Sequence, residues 1–239
     1  MPDGPPAGTD TVLDELEVLL TVEHALIVEY LTLQYAFGAE ELSTTAFGLA
    51  AGQMFQVKNV VRALDGRRPF LKLGRATSIT GTDGTAISLE PPGEPELLDL
   101  LDREEAIARA VDARYAALAP AVTDVVAFSD DVRLAVDRGE AHTDPVSALR
   151  DQVAGRPLGD FLHATRRTPD SPAEKVALGA IDAIYAGVLD LLRRQFFTLG
   201  GESEGDFRLA AIDAMNRLNA SCRALAGLGL LPSFTMPQI

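Results

Sequence analysis

An acidic residue interrupts the apolar seam of the first long helical stretch, from Asp10 to Phe37. Apolar residues recur there with a heptad-like spacing, as on the buried face of a helix. They are Leu13, Leu16, Leu20, Ile27 and Phe37. The same face carries Glu23, Tyr30 and Gln34. Because a buried carboxylate is costly unless a cation, a metal or a strong donor meets it, the seam predicts a polar site inside a bundle of helices.

Composition and charge narrow the class of protein. The chain has 239 residues, of which 47% are hydrophobic, and a net charge of -14. Its basic residues occur as short pairs rather than as a stripe, so nucleic acid is not an expected partner. No apolar run is long enough to span a membrane, and the Pro/Gly-rich start lacks the features of a secretory signal. The single cysteine, Cys222, excludes an internal disulfide and favours a reducing compartment, so we expect a cytoplasmic protein with no membrane association.

Hydrophobic periodicity, caps and breakers predict an all-α fold with five principal helices. These helices are expected at about residues 10–38, 44–64, 94–128, 172–199 and 205–228. Pro120 is expected to kink or divide the third helix, and Ser171 to cap the fourth. Extra short helices are expected at 131–138, 145–153 and 158–165.

The link between the second and third helices loses the helical period. Two runs rich in Thr, Ser and Ile, at 77–80 and 85–89, flank Asp83-Gly84. This arrangement is typical of a small β-hairpin within a long crossover. We expect residues 1–9 to form a disordered tail and residues 10–239 to form a single domain.

Long helices joined by one long crossover, with carboxylates directed inward, follow the ferritin-like four-helix-bundle plan. Two segments narrow the resemblance: Leu20-Thr21-Val22-Glu23-His24-Ala25-Leu26-Ile27-Val28-Glu29-Tyr30-Leu31 and Asn59-Val60-Val61-Arg62-Ala63-Leu64-Asp65-Gly66-Arg67-Arg68-Pro69. They resemble the ferritin-like domain of the iminophenyl-pyruvate dimer synthase family of bisindole biosynthesis. The resemblance covers about the first hundred residues. It implies a role in secondary-metabolite biosynthesis.

The metal ligands that this resemblance implies are degenerate. The family places a glutamate on helix one, a Glu-x-x-His on helix two, and the same set on the second helix pair. Glu23 matches the first position, but helix two offers Gln53-Met54-Phe55-Gln56 in one register and Ala50-Ala51-Gly52-Gln53 in the other. The chain contains no Glu-x-x-His motif at all. Because a di-iron centre needs several carboxylates, we expect no di-metal centre and no cofactor.

Without a metal, the polar residues of the bundle predict a pocket for acid/base chemistry. Glu23 and Tyr30 are the candidate catalytic residues. The candidate substrate-binding residues carry amides and phenols, and are Gln34, Gln53, Gln56, Tyr115 and Tyr185. A carboxylic acid between apolar walls has a pKa raised towards neutrality, which suits a general acid or base. A buried polar network that satisfies itself is the structural alternative.

Other polar residues are interpreted as structural. Glu29 falls off the seam and is expected to face solvent or a charge partner. His142 lies in a polar loop, and the Asp160-Phe161-Leu162-His163 stretch lies near a turn, so surface positions are expected for both histidines.

Three functions remain open on the sequence. The first is a metal-independent tailoring enzyme that converts or cyclises a small hydrophobic aromatic or polyketide-like substrate. The second is a dioxygen-using metalloenzyme built from Glu23, Asp160, His163 and acidic residues such as Asp112 or Asp182. The third is a non-catalytic binding or scaffold bundle. A homodimer is compatible with each of the three, although the sequence does not show which helix face would pair.

Overall fold

The computed structural model describes residues 9–65, 67, 74–89, 97–124, 128–139, 141–157, 162–165, 167–198 and 201–234. Seven α-helices and one two-stranded sheet occur in this part of the chain. The helices are α1 (Thr9–Ala36), α2 (Glu40–Leu64), α3 (Leu97–Asp124), α4 (Asp130–Gly139), α5 (Thr143–Val153), α6 (Pro172–Phe197) and α7 (Glu204–Ala226). The expected all-α class is confirmed. Residues 1–8 of the expected tail lie outside the described residues, and residue 9 is the first residue of α1.

Helix α1 is buried on nearly every side over its second half. From Val22 to Phe37, Ile27 is the one position that is not buried. Glu23 and Tyr30 are fully buried, as the seam predicts. Glu29 is buried too, so of the two expected environments solvent is wrong, and a charge partner stays a prediction. A helix that is enclosed all round has no solvent-facing side on which to place a charge.

Helix α2 begins earlier than the pattern predicts. Glu40 and Glu41 form its first turn, where their charges are favourable beside the free N–H groups of the helix start. The pattern predicted a helix start at the cluster of Ser43, Thr44 and Thr45, but this cluster lies inside α2. The Thr45 hydroxyl donates a hydrogen bond to the Glu41 carbonyl.

The crossover contains the predicted β-hairpin. Strand β1 (Ser78–Thr80) pairs antiparallel with β2 (Ala86–Ser88), with Ile79 opposite Ile87. Gly84 turns the chain at a φ of 85°, which favours glycine. Both strands contact α3.

Two backbone acceptors tie the crossover to α1. The Thr21 carbonyl accepts from the Ala76 N–H, and the Gly74 carbonyl lies 2.8 Å from His24 Nδ1. Burial lowers the pKa of His24 to about 4, so the neutral ring donates this hydrogen bond.

Helix α3 runs through Pro120 without division. The short helices α4 and α5 pack against it and match the expected segments 131–138 and 145–153 to within a few residues. The third expected short helix is wrong over residues 162–165, which are not helical, and its residues 158–161 lie outside the described part. Leu162 instead makes an isolated β-bridge with Phe37.

Helices α6 and α7 pack against each other as a hairpin. Ser171 caps α6 as predicted: its hydroxyl accepts from the Glu174 N–H, and the Glu174 carboxylate accepts from the Ser171 N–H. Arg167 donates to the same carboxylate at 2.7 Å. This reciprocal arrangement is a capping box, and it explains why the helix starts at Pro172.

Contacts divide the chain into two compact units. The first consists of the described residues of Met1–Ile27, Leu49–Glu90 and Leu97–Ala154, and the second of those of Val28–Gly48, Pro91–Glu96 and Gly155–Ile239. Helices α1 and α2 run through both units, and the single-domain expectation stays a prediction. None of the described helices combines the length and the apolar character that crossing a bilayer requires.

Candidate functional site

A histidine joins the first two helices in the core of the first unit. Nε2 of His142 lies 3.2 Å from Glu23 Oε2 on α1 and 3.1 Å from Gln53 Oε1 on α2. All three side chains are buried. Residue 142 immediately precedes α5, so the start of a short helix delivers this ring into the core. The buried carboxylate that the seam predicts therefore meets a cation-forming group.

The other ring nitrogen of His142 is held by Asp112 of α3, at 2.9 Å from Nδ1 to Oδ1. The Asp112 carboxylate also accepts the backbone N–H of His142 at 2.8 Å and that of Thr143 at 2.9 Å, together with the Thr143 hydroxyl. It thus occupies the N-terminus of α5, where free N–H groups favour an anion. Burial raises the pKa of Asp112, but the hydrogen bonds from His142 and Thr143 outweigh it and leave the pKa below its usual value.

Two carboxylates keep the His142 ring positively charged. Burial by itself lowers the pKa of this imidazole, but the charge of Glu23 and the hydrogen bond to Asp112 raise it to about 10. At neutral pH both ring nitrogens therefore carry protons and donate, one to each carboxylate. The result is a chain of charges in the order Asp112, His142, Glu23, in which Asp112 is partly exposed and the other two are buried.

Tyr115 of α3 covers this chain of charges. Its ring stacks on the His142 ring at 9° with centroids 6.1 Å apart, a geometry in which the face of the phenol can stabilise the imidazolium. Behind the ring lies Gly139, where a Cβ would come within 2.4 Å of three Tyr115 ring carbons. A glycine at the end of α4 is therefore what lets the tyrosine lie against the histidine.

Two buried oxygens of the site, the Tyr115 hydroxyl and Oε1 of Glu23, have no hydrogen-bond partner of good geometry among the described residues, although the hydroxyl lies close to the Glu23 carboxylate and the Gln56 side chain. Burial and the charge of Glu23 raise the pKa of Tyr115 well above its usual value, so the phenol stays protonated. The neighbouring Gln56 amide is engaged elsewhere, donating to the Ala135 carbonyl at 2.7 Å. The site thus holds a protonated donor and a carboxylate oxygen, each with capacity for a further partner.

The predicted site residues divide between the two units. Glu23, Gln53, Gln56 and Tyr115 belong to the first unit, where the first two and Tyr115 contact His142 and Gln56 lies beside Tyr115. Tyr30, Gln34 and Tyr185 are buried in the second unit. Tyr185 packs edge-on against Phe234 there, with ring centroids 5.4 Å apart.

The donor set of this site does not fit a di-metal centre. His142 uses both nitrogens on carboxylates that lie on opposite sides of its ring, so it bridges them instead of converging with them on one ion. Glu23 is the one carboxylate at the Nε2 side, and Gln53 adds a neutral amide. Within the described residues no group of three or more histidine, cysteine or acidic side chains is arranged to hold a metal ion. We therefore derive no step through a metal.

The alternative metalloenzyme requires His163 as a ligand, and the position of His163 does not support that role. His163 is exposed and belongs to the second unit, and Asp160 lies outside the described residues. The expectation of a surface position is correct for His163 and wrong for His142, which is buried.

Sequence patterns alone do not identify His142 as a site residue, and they point to Asp112 only as a ligand of the alternative metalloenzyme. Their contacts join residues 30 and 119 positions apart, and no local pattern announces such contacts. A third missed residue had a readable signal. Glu104 of α3 is fully buried and pairs with Arg103 at 2.9 Å, and it interrupts an apolar seam through Leu101, Val111 and Tyr115 just as Glu23 does on α1.

Comparisons with known proteins identify the fold. No protein-family model and no curated protein matches the chain. A solved structure does: the crystal structure of a ferritin-like protein from Caulobacter vibrioides matches with a TM-score of 0.67 and 16% sequence identity, over 97% of this chain and 100% of that one. The predicted ferritin-like helical bundle is confirmed, and at this identity the likeness concerns the fold alone.

Proposed function

We propose that this protein is a metal-independent acid/base enzyme in which Glu23 and Tyr115 act on a small hydrophobic substrate. The observation that carries the proposal is the pair of buried oxygens without a regular hydrogen-bond partner among the described residues, Glu23 Oε1 and the Tyr115 hydroxyl. A carboxylate oxygen can accept a proton from carbon, while a protonated phenol can donate to the carbonyl oxygen on which negative charge develops.

The remaining residues of the site have positioning roles. The His142 cation holds Oε2 of Glu23, whereas Oε1 makes no hydrogen bond to the histidine. Asp112 fixes the histidine through its ring and its backbone N–H. Because the reacting groups are fully buried, an apolar substrate would lose the least hydration free energy on reaching them. A carbonyl compound with an acidic C–H, such as an aromatic or polyketide-like ketone, fits these requirements.

The placement of this chemistry in secondary-metabolite biosynthesis rests on the resemblance of the two segments around Glu23 and Arg62. Enolisation followed by ring closure would need only the proton transfers that Glu23 and Tyr115 can supply. Tyr30, named from the seam, keeps its place as a candidate residue of the second unit.

The test is proton exchange, because it detects the first step whatever the final product is. The purified chain is incubated in D2O with a panel of aromatic β-dicarbonyl compounds, and deuterium incorporation at the acidic carbon is followed by NMR. We expect exchange catalysed by the wild type, a loss of about 100-fold or more in Glu23→Gln, and a smaller loss in Tyr115→Phe. Glu202→Gln, which changes an exposed glutamate, should exchange at the wild-type rate.

A non-catalytic role for the same network predicts a different pattern. If Glu23→Gln lowers the melting temperature but no compound is exchanged faster by the wild type than by that variant, the charge chain is a structural tie and the enzyme proposal is wrong.

A further inference from the structure

Helix α2 has an uncharged face that nothing in the described chain covers. From Ser43 to Val57 the helix contains no charged residue, although 23% of the whole chain is charged. Two aromatic rings on this face lie in solvent, with Phe47 46% and Phe55 69% exposed. Large aromatic side chains at this exposure are typical of surfaces that bind a partner.

Two glycines lie between these rings. Gly48 and Gly52 are exposed and occupy the interior of α2, where glycine is less favourable than alanine. A Cβ at either position would meet no atom within 4 Å. Packing within the described chain therefore does not require either glycine, whereas a second helix could approach the backbone closely at both.

The face has opposite charges at its two ends. One line of positions, spaced alternately by three and four residues, runs along the helix. It consists of Glu41, Thr44, Gly48, Ala51, Phe55, Lys58 and Arg62. Glu41 and Arg62 are exposed, and neither side chain has an ion-pair partner among the residues that the structure describes.

The residues of this line are complementary to those of a second copy of the line that runs in the opposite direction. When two copies of the line are laid antiparallel about Ala51, Glu41 of each faces Arg62 of the other, and Phe55 of each faces Gly48 of the other. A parallel arrangement would instead place Glu41 on Glu41 and Arg62 on Arg62. Antiparallel pairing about one point is the geometry of a twofold, isologous interface.

We propose that α2 is the interface of a homodimer, in which the two α2 helices pair antiparallel about Ala51. Each Phe55 ring fills the space above Gly48 of the second copy, and Glu41 pairs with Arg62 across the two ends. The charge of the chain supports this choice of face. At a net charge of -14 two copies repel, and the uncharged stretch with complementary ends lets them approach without opposing like charges.

The oligomeric state of the full chain tests the proposal, measured by sedimentation equilibrium across a range of concentrations. We expect a dimer for the wild type and a dissociation constant raised about 100-fold or more in Phe55→Glu, because the change buries a charge at the centre of the interface. Val176→Glu is the matched control, since it changes an exposed apolar residue of α6 in the same way. A wild type that stays monomeric at all concentrations, or a Phe55→Glu protein that dimerises like the control, excludes this interface.

Two further variants test the direction of pairing and do not depend on the fate of Phe55→Glu. Ala51→Cys should form an intermolecular disulfide on mild oxidation, because the antiparallel arrangement brings the two copies of residue 51 together. Glu41→Arg and Arg62→Glu should each weaken the dimer, and the double exchange should restore it. If Ala51→Cys does not cross-link, or if the double exchange is as weak as the sum of the single ones, the antiparallel pairing about Ala51 is refuted.

Discussion

His142 is the residue on which the core of the first unit depends. Its ring stands between two carboxylates, and Glu23 on one side is fully buried. Removing one member of such a group leaves an uncompensated charge in the interior, which costs far more than the net stabilisation of the intact pair. The ring therefore keeps Glu23 tolerable in an apolar core.

We predict that His142 makes the protein less stable as the pH rises above neutrality. The pKa of a histidine is ordinarily 6.5, and that of His142 is about 10 in the folded chain. The folded state therefore holds the proton more tightly, so the stabilisation is complete below pH 6.5 and is lost as the pH rises towards 10. In this window the free energy of unfolding should fall by up to about 1.4 kcal/mol per pH unit.

The measurement is urea unfolding of the wild type and of His142→Gln between pH 6.5 and 8.5. The upper limit stays below 9.0, the ordinary pKa of a cysteine, because burial raises the pKa of Cys222 and its thiol also favours the folded state only while it is protonated. The slope should be present in the wild type and in His163→Gln, a change at an exposed histidine, and absent in His142→Gln. Equal slopes in all three proteins would show that the His142 ring is not held as a cation.

The sequence predicted one of the three members of this chain of charges. Glu23 was recognisable because a helical period fixes which residues share a face, and a lone acid on an apolar face stands out. His142 was not recognisable, because its contacts are long-range and the short segment before α5 has no period. A histidine between Ala141 and Thr143 looks like a surface residue until the fold brings Asp112 to its backbone.

At the scale of elements, the small helices α4 and α5 position the site. Helix α5 presents His142 at its start, where Asp112 of α3 binds the free backbone N–H groups. Helix α4 ends on Gly139, directly behind the Tyr115 ring. Helix α5 thus positions the His142 ring, and α4 leaves room for the Tyr115 ring. The two rings stack on each other, and His142 contacts Glu23.

We predict that Gly139→Ala destabilises the protein by about 1–3 kcal/mol, the usual cost of overpacking a core. The added Cβ would come within 2.4 Å of three ring carbons of Tyr115, so the ring must leave its place on His142. Gly179→Ala in α6 is the matched control, because a Cβ there meets nothing within 4 Å and the position is exposed. That variant should gain up to about 1 kcal/mol from helix propensity.

Chemical denaturation of both variants gives the two energies, and near-ultraviolet circular dichroism reports the environment of the tyrosines. A neutral or stabilising Gly139→Ala would mean that the close approach of Tyr115 is not a constraint in solution.

The elements themselves were mostly predictable. Caps and breakers located the start of α6 at Ser171 and the hairpin at Asp83-Gly84, because each of these depends on residues close in sequence. The expected helix at 158–165 failed over 162–165, where the chain makes β-bridges with Phe37 and Leu230. Backbone pairing with residues distant in sequence overrode the local propensity there.

At the scale of the whole molecule, the ferritin-like bundle does not depend on its usual ligand pattern. Apolar periodicity and helix length define this bundle, whereas a metal centre requires particular carboxylates and imidazoles on facing helices. In this chain the resemblance implies metal ligands at the positions of Glu23 and Gln53. Both side chains instead contact the His142 imidazolium. The positive charge between the two carboxylates is thereby supplied by a side chain of the protein.

The last prediction concerns the cooperativity of unfolding. Contacts separate two compact units, but α1 passes from the first to the second after Ile27, and α2 passes back after Gly48. A continuous helix loses stabilising hydrogen bonds on both sides of a break, because helix formation is itself cooperative. We therefore expect the chain to unfold as a single domain, in one calorimetric transition whose van't Hoff enthalpy equals the calorimetric enthalpy.

Ala50→Pro, which removes a backbone donor from α2 beside the unit boundary, should lower the melting temperature and broaden or split the transition. Two separate transitions in the wild type would show instead that α1 and α2 do not couple the units, and that each unit is a domain in its own right.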